Sequence, residues 1–169
     1  IYNRSLSMIR SKHSFAERMV LFWGNHFTVS SAGRKVVGPI AVSYETEVIR
    51  PHIFGRFEDM LLDVVRHPAM LMYLDNHVSI GPNSRAGQKR KRGLNENLAR
   101  EILELHTLGV NGGYSQKDVT EFAKVLTGWS IKGRNEKVSA DDPKHGFRFK
   151  SRIHEPGQKS ILGRTYMGN

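Results

Sequence analysis

The fold of this chain is decided by residues 93–129, which read GLNENLAREILELHTLGVNGGYSQKDVTEFAKVLTGW. In the first half, Leu98, Ile102 and Leu105 follow one another at spacings of four and three, so their side chains share one face of a helix. Gly109 suits the position just after that helix, because glycine readily adopts the left-handed conformation that ends helices. The spacing predicts an amphipathic helix of about three to four turns.

A tight turn and a second helix follow. Residues 110–114 contain an Asn-Gly-Gly run, whose members accept positive φ angles. Ser115 and Asp118 have the spacing of a capping box in which Asp replaces the usual Glu. The apolar stripe of the second helix consists of Val119, Phe122, Ala123 and Leu126. We therefore predict a helix over residues 116–127 and, with the first helix, a helix-turn-helix hairpin.

The segment that begins at Ser14 is expected to form a central helix. Ser14 and Glu17 have capping-box spacing, and a broad apolar face follows them. This face has two neighbouring rows, one comprising Phe15, Met19, Phe22 and His26 and the other Val20, Trp23 and Phe27. Because His26 shares an apolar row, we predict that its imidazole is buried and hydrogen-bonded, with a role as ligand or base as the alternative.

The remaining pattern sets the fold class. Further helical segments are predicted over residues 42–50, which Pro51 ends, over 57–66 and over 68–74. Phe147 and Phe149 alternate with charged residues like a short strand, and residues 160–166 can pair back on themselves around Gly163. The predicted fold is mainly α, a multi-helix domain with the helix-turn-helix hairpin and a short β-like C-terminal segment.

We predict one domain over residues 1–169, with a helical core over 1–131 and a loop and short strands over 132–169. Because the sequence opens on Ile1 rather than Met, we expect an internal fragment of a longer protein. The side chains predicted to share the core are Phe15, Met19, Phe22, Phe57, Leu61, Leu98, Ile102, Leu105, Phe122 and Leu126.

Composition limits the function classes. The chain has 169 residues and a formal charge of +10, which suits a polyanionic partner. Five of the positive charges lie in one basic loop, residues 85–92: Arg85, Lys89, Arg90, Lys91 and Arg92. No aromatic side chain interleaves them as a stacking platform for bases, so we interpret this segment as a solvated surface loop, with an anion or nucleic-acid contact as the alternative. The case for nucleic acid is weak.

Several kinds of site are excluded or unexpected. The chain has no cysteine, which excludes disulfides and thiolate chemistry, and it contains no apolar run long enough for a transmembrane segment. A calcium loop in the Gly-rich turn is not expected, because its first ligand positions would be Thr107 and Gly109. Since no known metal or phosphate motif is present either, we expect no metal and no cofactor.

Candidate site residues come mainly from the first helix of the hairpin. Asn97, Glu101 and Glu104 flank its apolar stripe, where half-buried carboxylates need a partner, which can also be purely structural. Asn95 is a good N-cap, and Glu96 with Arg100 makes an ordinary ion pair. The candidate catalytic residues are Glu101, Glu104, His26 and His154. The candidate binding residues are Asn95, Glu96, Asn97, Arg100, Arg90, Lys91 and Arg92.

Several stretches together resemble one bacterial family. They are residues 23–27 (WGNHF), 50–52 (RPH), 67–70 (HPAM), 73–76 (YLDN), 94–101 (LNENLARE), 104–110 (ELHTLGV), 112–114 (GGY) with 118–119 (DV), and 126–129 (LTGW). They are similar to the family catalogued as domain of unknown function 1800. The resemblance implies a largely helical protein of several hundred residues that often carries an export signal, hence a periplasmic or secreted location.

The resemblance also bears on residues near the end of the chain. Family members often have a His-Asp pair ahead of a Gly and a Lys, and here the corresponding residues are His154 and Glu155, with Gly157 and Lys159. The acid is kept and is longer by one methylene. The family also emphasises these candidates: His26, Asn95, Glu96, Asn97, Arg100, Glu101 and His154.

Three functions follow as hypotheses. The first is a binding or assembly module of an exported bacterial protein, whose surface loops meet a partner protein or an envelope polymer. The alternative is an extracytoplasmic hydrolase-like enzyme that uses carboxylate and histidine acid–base chemistry. The second alternative is a polyanion or nucleic-acid binder that uses the basic loop 85–92. The residues alone leave open whether the chain is an enzyme.

Overall fold

The structure is a computed structural model that describes residues 10–30, 40, 43–89, 93–133, 136 and 144–168. The fold is mainly α with a few short antiparallel strands, as predicted. The chain divides into two compact units, residues 1–64 and residues 65–169. The assignment of the whole chain to one domain stays a prediction.

The first unit is built from helices. Its elements are α1 (Ser14–His26), a π-helical turn (Glu45–Ile49), α2 (Arg50–His52) and most of α3 (Phe57–Arg66), which ends in the second unit. Its buried apolar side chains are Val20, Phe27, Tyr44, Val48, Ile49, Met60 and Val64.

The buried face of α1 differs from the predicted one. Phe15 and Phe22 are each 58% exposed, whereas Phe27 is fully buried. The ring of Phe27 packs at centroid distances of 5.9 Å from Trp23 and 6.0 Å from Phe57. Both rows of α1 are apolar, and packing within the unit selects the row with Phe27. The prediction that Phe15 and Phe22 belong to the core was therefore wrong.

The start of α1 and the position of Pro51 also needed correction. No described side chain caps α1, and the Glu17 carboxylate instead accepts two hydrogen bonds of 2.9 Å from the Arg50 guanidinium. A bidentate contact between charged groups is stronger than a single capping hydrogen bond. The contact with Arg50 also lowers the pKa of Glu17. Pro51 does not end a helix but lies in the first turn of α2, where no backbone N–H donor is needed.

The second unit combines helices with two small sheets. Its helical elements are α4 (Pro68–Tyr73), α5 (Asn97–Glu101), a π-helical segment (Ile102–Thr107) that continues α5, and α6 (Gln116–Leu126), together with the short 3₁₀ turns Asn76–Val78, Lys144–Gly146 and Ser151–Ile153. Its strands are β1 (Trp129–Ile131), β2 (Phe147–Phe149), β3 (Lys159–Ile161) and β4 (Arg164–Tyr166). β1 pairs with β2 and β3 pairs with β4, both antiparallel.

The strand predictions were mostly right. β2 forms where Phe147 and Phe149 alternate, and β3 and β4 pair across Leu162 and Gly163, whose φ angles of 50° and 74° are typical of a tight hairpin turn. The helical core was predicted to end at residue 131, and the strand β1 covers residues 129–131. Gly128, with φ of 88°, lies just before this strand and after the end of α6.

Most of the residues predicted to cap or end α5 and α6 do so in the structure. Ser115 and Asp118 form a capping box with both reciprocal bonds, and α6 starts at the predicted residue. The N-cap of α5 is Glu96 rather than Asn95, because the first helical bond runs from the Arg100 N–H to the Glu96 carbonyl oxygen at 2.9 Å. The Asn95 side-chain oxygen still makes a cap-like contact, since it accepts a hydrogen bond from the Asn97 N–H at 2.8 Å. Gly109 has a φ of 87°, as a helix-terminating glycine requires.

The π-helical segment changes which residues are buried. Leu98 and Ile102 lie in the core as predicted, but Leu105 is 56% exposed, while Leu103 and His106 are buried. A π-helical turn closes from residue i to i+5, so it rotates the following side chains away from the α-helical phase. The periodicity could not reveal this rotation, which places His106 inside and Leu105 outside.

The other side chains that were predicted for the core differ in how deeply they are buried. Leu126 is buried, Met19, Leu61 and Phe122 are half-buried, and Phe57 is 40% exposed. None of the helices in the described ranges has the length and apolarity to cross a membrane.

Candidate functional site

Glu155 is the centre of a buried polar cluster in the second unit. Its side chain is only 4% exposed, and its carboxylate oxygens accept hydrogen bonds from the Asn83 backbone N–H at 2.8 Å and from Asn83 Nδ2 at 2.6 Å. The Glu155 N–H donates to Thr127 Oγ1 at 2.8 Å, and the buried Lys159 ammonium donates to the Glu155 carbonyl oxygen. This Glu155 cluster (Asn83, Thr127, Glu155 and Lys159) connects three segments that are far apart in the sequence.

Lys159 is the buried cation of the cluster. Burial lowers the pKa of its ammonium, while the nearby charges of Glu155 and Glu121 act in the opposite direction. Because a buried ammonium needs hydrogen-bond acceptors, its contact with the Glu155 carbonyl is structural. The acid and the lysine of the His-acid…Gly…Lys pattern therefore both belong to the Glu155 cluster.

His154 holds the end of α6 in place. Its Nδ1 lies 2.6 Å from the Thr127 carbonyl oxygen. Because a carbonyl oxygen can only accept a hydrogen bond, Nδ1 carries a proton and is the donor. The imidazole also lies edge-on to Phe149, with centroids 5.2 Å apart. This catalytic candidate is therefore half-buried and hydrogen-bonded to the backbone.

Residues 81–89 form a series of turns that is fixed to the segment before Glu155. The Gly81 N–H donates to the Ile153 carbonyl at 2.9 Å, and the Ala86 N–H donates to the Arg152 carbonyl at 3.1 Å. Within the turns, the Gly87 N–H donates to Oγ of the buried Ser84 at 3.0 Å. Arg85, Gln88 and Lys89 are exposed, as predicted for a surface loop, but the backbone of this part of the basic loop is anchored by hydrogen bonds. Arg90, Lys91 and Arg92 lie outside the described residues.

A depression with a basic lining lies on this anchored loop. It has a volume of about 500 Å³, and its lining residues are Arg85, Ala86, Gln88, Lys89, Ser151 and Arg152. No carboxylate of the described ranges lines this basic pocket. Within the described part of the chain, Arg85, Lys89 and Arg152 form no ion pair. The charges of the loop were evident from the sequence, but Arg152 was missed, since only the fold brings it to the same pocket.

A second polar network joins α5 to α6 through Glu96. Its carboxylate accepts hydrogen bonds from the Thr120 hydroxyl at 2.7 Å and from Gln116 Nε2 at 2.8 Å, and Arg100 lies at 3.3 Å. These contacts, with the Thr120 bond as the largest, lower the pKa of Glu96. Arg100 also bonds to Gln116 at 2.9 Å and to Glu104 at 3.2 Å. Glu96 and Arg100 therefore form more than the solvent ion pair predicted for them.

The predicted binding residues at the start of α5 line a shared depression. It has a volume of about 670 Å³ and is lined by Val78, Gly93, Leu94, Asn95, Glu96 and Asn97. The Asn95 N–H donates to Ser79 Oγ at 3.0 Å, which fixes one wall. Arg100 does not line this depression, so the structure brings together three of the four binding candidates from α5 and its N-terminal flank.

Glu101 and His26 stay candidates without a described catalytic arrangement. Glu101 is half-buried and forms no hydrogen bond or ion pair with residues that the structure describes, so none of these residues is the partner expected for it. Burial, and to a lesser extent the charge of Glu104, raises the pKa of Glu101. In the first unit, His26 is half-buried and not fully buried as predicted, and its ring lies edge-on to Phe27 with centroids 4.6 Å apart.

The contrast between the two carboxylates gives a first prediction. We expect Glu101→Gln to leave stability at pH 7 unchanged or higher, because an acid whose folded pKa is raised opposes folding once it ionises. At a pH below the ordinary glutamate pKa of 4.5, Glu101 is uncharged like the glutamine that replaces it. Any gain in stability of the variant should therefore disappear there. Thermal melts at pH 7 and pH 3.5 measure this. The matched variant Glu104→Gln loses its ion pair with Arg100 and should lower stability by about 0.2–1 kcal/mol at pH 7. A loss for Glu101→Gln at pH 7 would contradict the assignment.

An apolar groove lies between the π-helical segment, α6 and the β3–β4 hairpin. Its volume is about 390 Å³, and its lining residues are Ile102, Leu103, Thr107, Leu108, Phe122, Val125, Ile161, Leu162 and Tyr166. Large apolar surface is open to solvent at its rim, since Leu108, Leu162 and Tyr166 are 45%, 46% and 49% exposed.

The hairpin wall of this groove is fixed to the N-terminus of α6. The Asp118 carboxylate accepts a hydrogen bond from the Leu162 N–H at 2.7 Å as well as those of the Ser115 hydroxyl and N–H. These bonds, the Ser115 hydroxyl first, lower the pKa of Asp118 to about 2. The capping box that the sequence predicted thus also positions a wall of the groove.

Other polar residues that organise the second unit were not predicted. His67 is buried and caps α4, with Nδ1 accepting from the Ala69 N–H at 3.1 Å. Asn76 is buried and donates to the Leu126 and Trp129 carbonyls at 3.1 Å and 3.0 Å. The Pro that follows His67 was the one available signal for the cap, while nothing local indicated the partners of Asn76.

These features define a mainly α protein whose buried polar side chains hold turns in place beneath a basic pocket and beside an apolar groove. The chain belongs to the family described as Protein of unknown function (DUF1800), whose family model matches residues 2–169. This match confirms the resemblance noted in the sequence. No curated protein and no solved structure matches the chain.

Proposed function

We propose that this chain is a binding module that holds an extended, acidic segment of a partner polypeptide in the apolar groove. The observation that carries the proposal is the groove itself, in which every lining residue except Thr107 is apolar or aromatic. A concave groove with a mostly apolar lining is the usual form of a binding site. In this proposal the predicted helix-turn-helix hairpin supplies two walls of the groove.

The shape of the surroundings favours an extended segment. β4 pairs with β3 on one side, and no described strand lies along its other edge. The three residues of β4 are all exposed. An unpaired strand edge beside an apolar groove suits a peptide that adds a strand and places alternate side chains in the groove.

The charge of the chain favours an acidic partner. The formal charge is +10, which attracts acidic segments and opposes the close approach of a second copy of the same chain. One of these charges, Arg164, lies on β4 between the groove-lining residues Leu162 and Tyr166. We therefore propose a different, acidic polypeptide as the partner and not self-association.

The polar residues that suggested acid–base chemistry support a module more than an enzyme. Glu104 is bonded to Arg100, and the His154 imidazole is bonded to the Thr127 carbonyl. Two of the four catalytic candidates therefore have structural partners. Glu101 and His26 are the candidates on which the hydrolase-like alternative continues to rest.

Selection of a displayed random-peptide library on the purified chain tests the proposal. We expect enrichment of acidic peptides with alternating apolar residues. We expect Leu162→Glu to weaken the selected peptides by about 10-fold or more, since it places a charge in the groove and repels an acidic ligand. Leu105→Glu is the control, because Leu105 is 56% exposed and does not line the groove.

The proposal fails if no such peptides are enriched. It also fails if Leu105→Glu weakens the selected peptides as much as Leu162→Glu does. Circular dichroism of both variants checks that the helices are retained.

A further inference from the structure

We propose that the basic pocket binds the phosphate monoester group of a small molecule. This inference goes beyond the partner-binding function and rests on a different surface of the second unit. Its three cations, Arg85, Lys89 and Arg152, come from two segments that are distant in the sequence.

The chemistry of the lining points to a doubly charged oxyanion. Two guanidinium groups supply paired N–H donors that match the oxygens of a phosphate group, and the Lys89 ammonium adds a third positive charge. Gln88 and Ser151 add neutral side chains that can donate hydrogen bonds. Because no described carboxylate lines the pocket and the three cations form no ion pairs with described residues, their charge is available to a ligand.

The backbone beneath these side chains is held in position before any ligand arrives. The Ala86 N–H bonds directly to the Arg152 carbonyl, which ties the two cationic segments together at 3.1 Å. The buried Glu155 carboxylate fixes Asn83 at the start of the same turns. A site whose backbone is fixed by a buried support loses less entropy on binding than a mobile basic tail does.

The dimensions favour a compact ligand and not a nucleic acid. The volume of about 500 Å³ lies within the range of about 300–1,000 Å³ that small-molecule pockets occupy. Among the described residues the lining is confined to 85–89 and 151–152, and it contains no aromatic side chain on which a base could stack.

Calorimetric titration of the 169-residue chain at low ionic strength tests the proposal. The ligands are glycerol 3-phosphate, inorganic phosphate and glycerate, which replaces the phosphate group with a carboxylate. We expect both phosphates to bind and glycerate to bind at least about 10-fold more weakly. We expect Arg85→Ala with Arg152→Ala to reduce phosphate affinity by about 10-fold or more. The control removes two charges elsewhere, Lys12→Ala with Arg18→Ala, and should change the affinity less than about 2-fold.

Three results would overturn the proposal. The first is the absence of phosphate binding to the wild-type chain, and the second is an equal loss in both double variants, which would indicate only a net-charge effect. The third is binding of a DNA duplex of about 20 base pairs that is lost in the variant Arg85→Ala with Arg152→Ala and that glycerol 3-phosphate does not displace. That result would assign the surface to nucleic acid. Peptide binding in the groove is scored separately, so failure here leaves the groove proposal unaffected.

Discussion

Replacing Phe27 with alanine is expected to lower the free energy of unfolding by about 3–5 kcal/mol. Phe27 is fully buried, and its ring packs on Trp23 and Phe57. Its carbonyl also accepts a hydrogen bond of 3.1 Å from the Tyr44 hydroxyl, so the surrounding backbone is held and cannot collapse into the space. The loss therefore includes both the transfer of the ring and the cavity that it leaves.

The same substitution at Phe22 is the matched control. Phe22 lies on the same helix but is 58% exposed, so Phe22→Ala should cost less than about 1 kcal/mol. Urea unfolding, followed by tryptophan fluorescence and by circular dichroism, measures both variants. Equal losses for the two alanine variants would show that the buried row of α1 has been assigned wrongly.

Glu155→Ala is expected to cost about 2–4 kcal/mol at neutral pH. The variant leaves the Asn83 N–H and the Asn83 side-chain amide without the carboxylate oxygens that accept their hydrogen bonds. It also leaves the Lys159 ammonium buried with less compensating negative charge nearby. Thermal melts and urea titrations give the loss.

Two further variants separate the hydrogen bonds from the charge and from general effects. Glu155→Gln keeps the volume but turns one acceptor into an NH₂ that faces a donor of Asn83, so it should also be destabilising. Glu58→Ala removes a carboxylate that is 67% exposed and should change stability by less than about 0.5 kcal/mol. If Glu155→Ala behaves like Glu58→Ala, the buried cluster does not support the loop.

The site was less predictable than the helices. The sequence identified Asn95, Glu96 and Asn97, which share one depression, and it identified the basic charge of Arg85 and Lys89. It did not identify the anchors beneath the basic pocket. Glu155 and Asn83 are separated by 72 positions, so no local pattern relates them.

What the sequence determined by itself is local. The Ser115–Asp118 capping box, the start of α6 and the turn between β3 and β4 all depend on residues within a few positions of one another. The physical reason is that capping bonds and turn conformations are satisfied inside one short segment. For the same reason, the family motifs and the mainly α class follow from short stretches of residues and their spacing.

Only the tertiary structure decided which side chains are buried where the local sequence is equally compatible with two arrangements. Both apolar rows of α1 suit a core, and packing on Phe57 selected the one with Phe27. The π-helical segment after α5 buries His106 in place of Leu105 because its wider turns rotate the side chains, which spacing alone does not indicate. Arg152 joins the basic pocket because a backbone bond to Ala86 brings it there. Burial and charge depend on which distant segments meet, and that is a property of the folded chain.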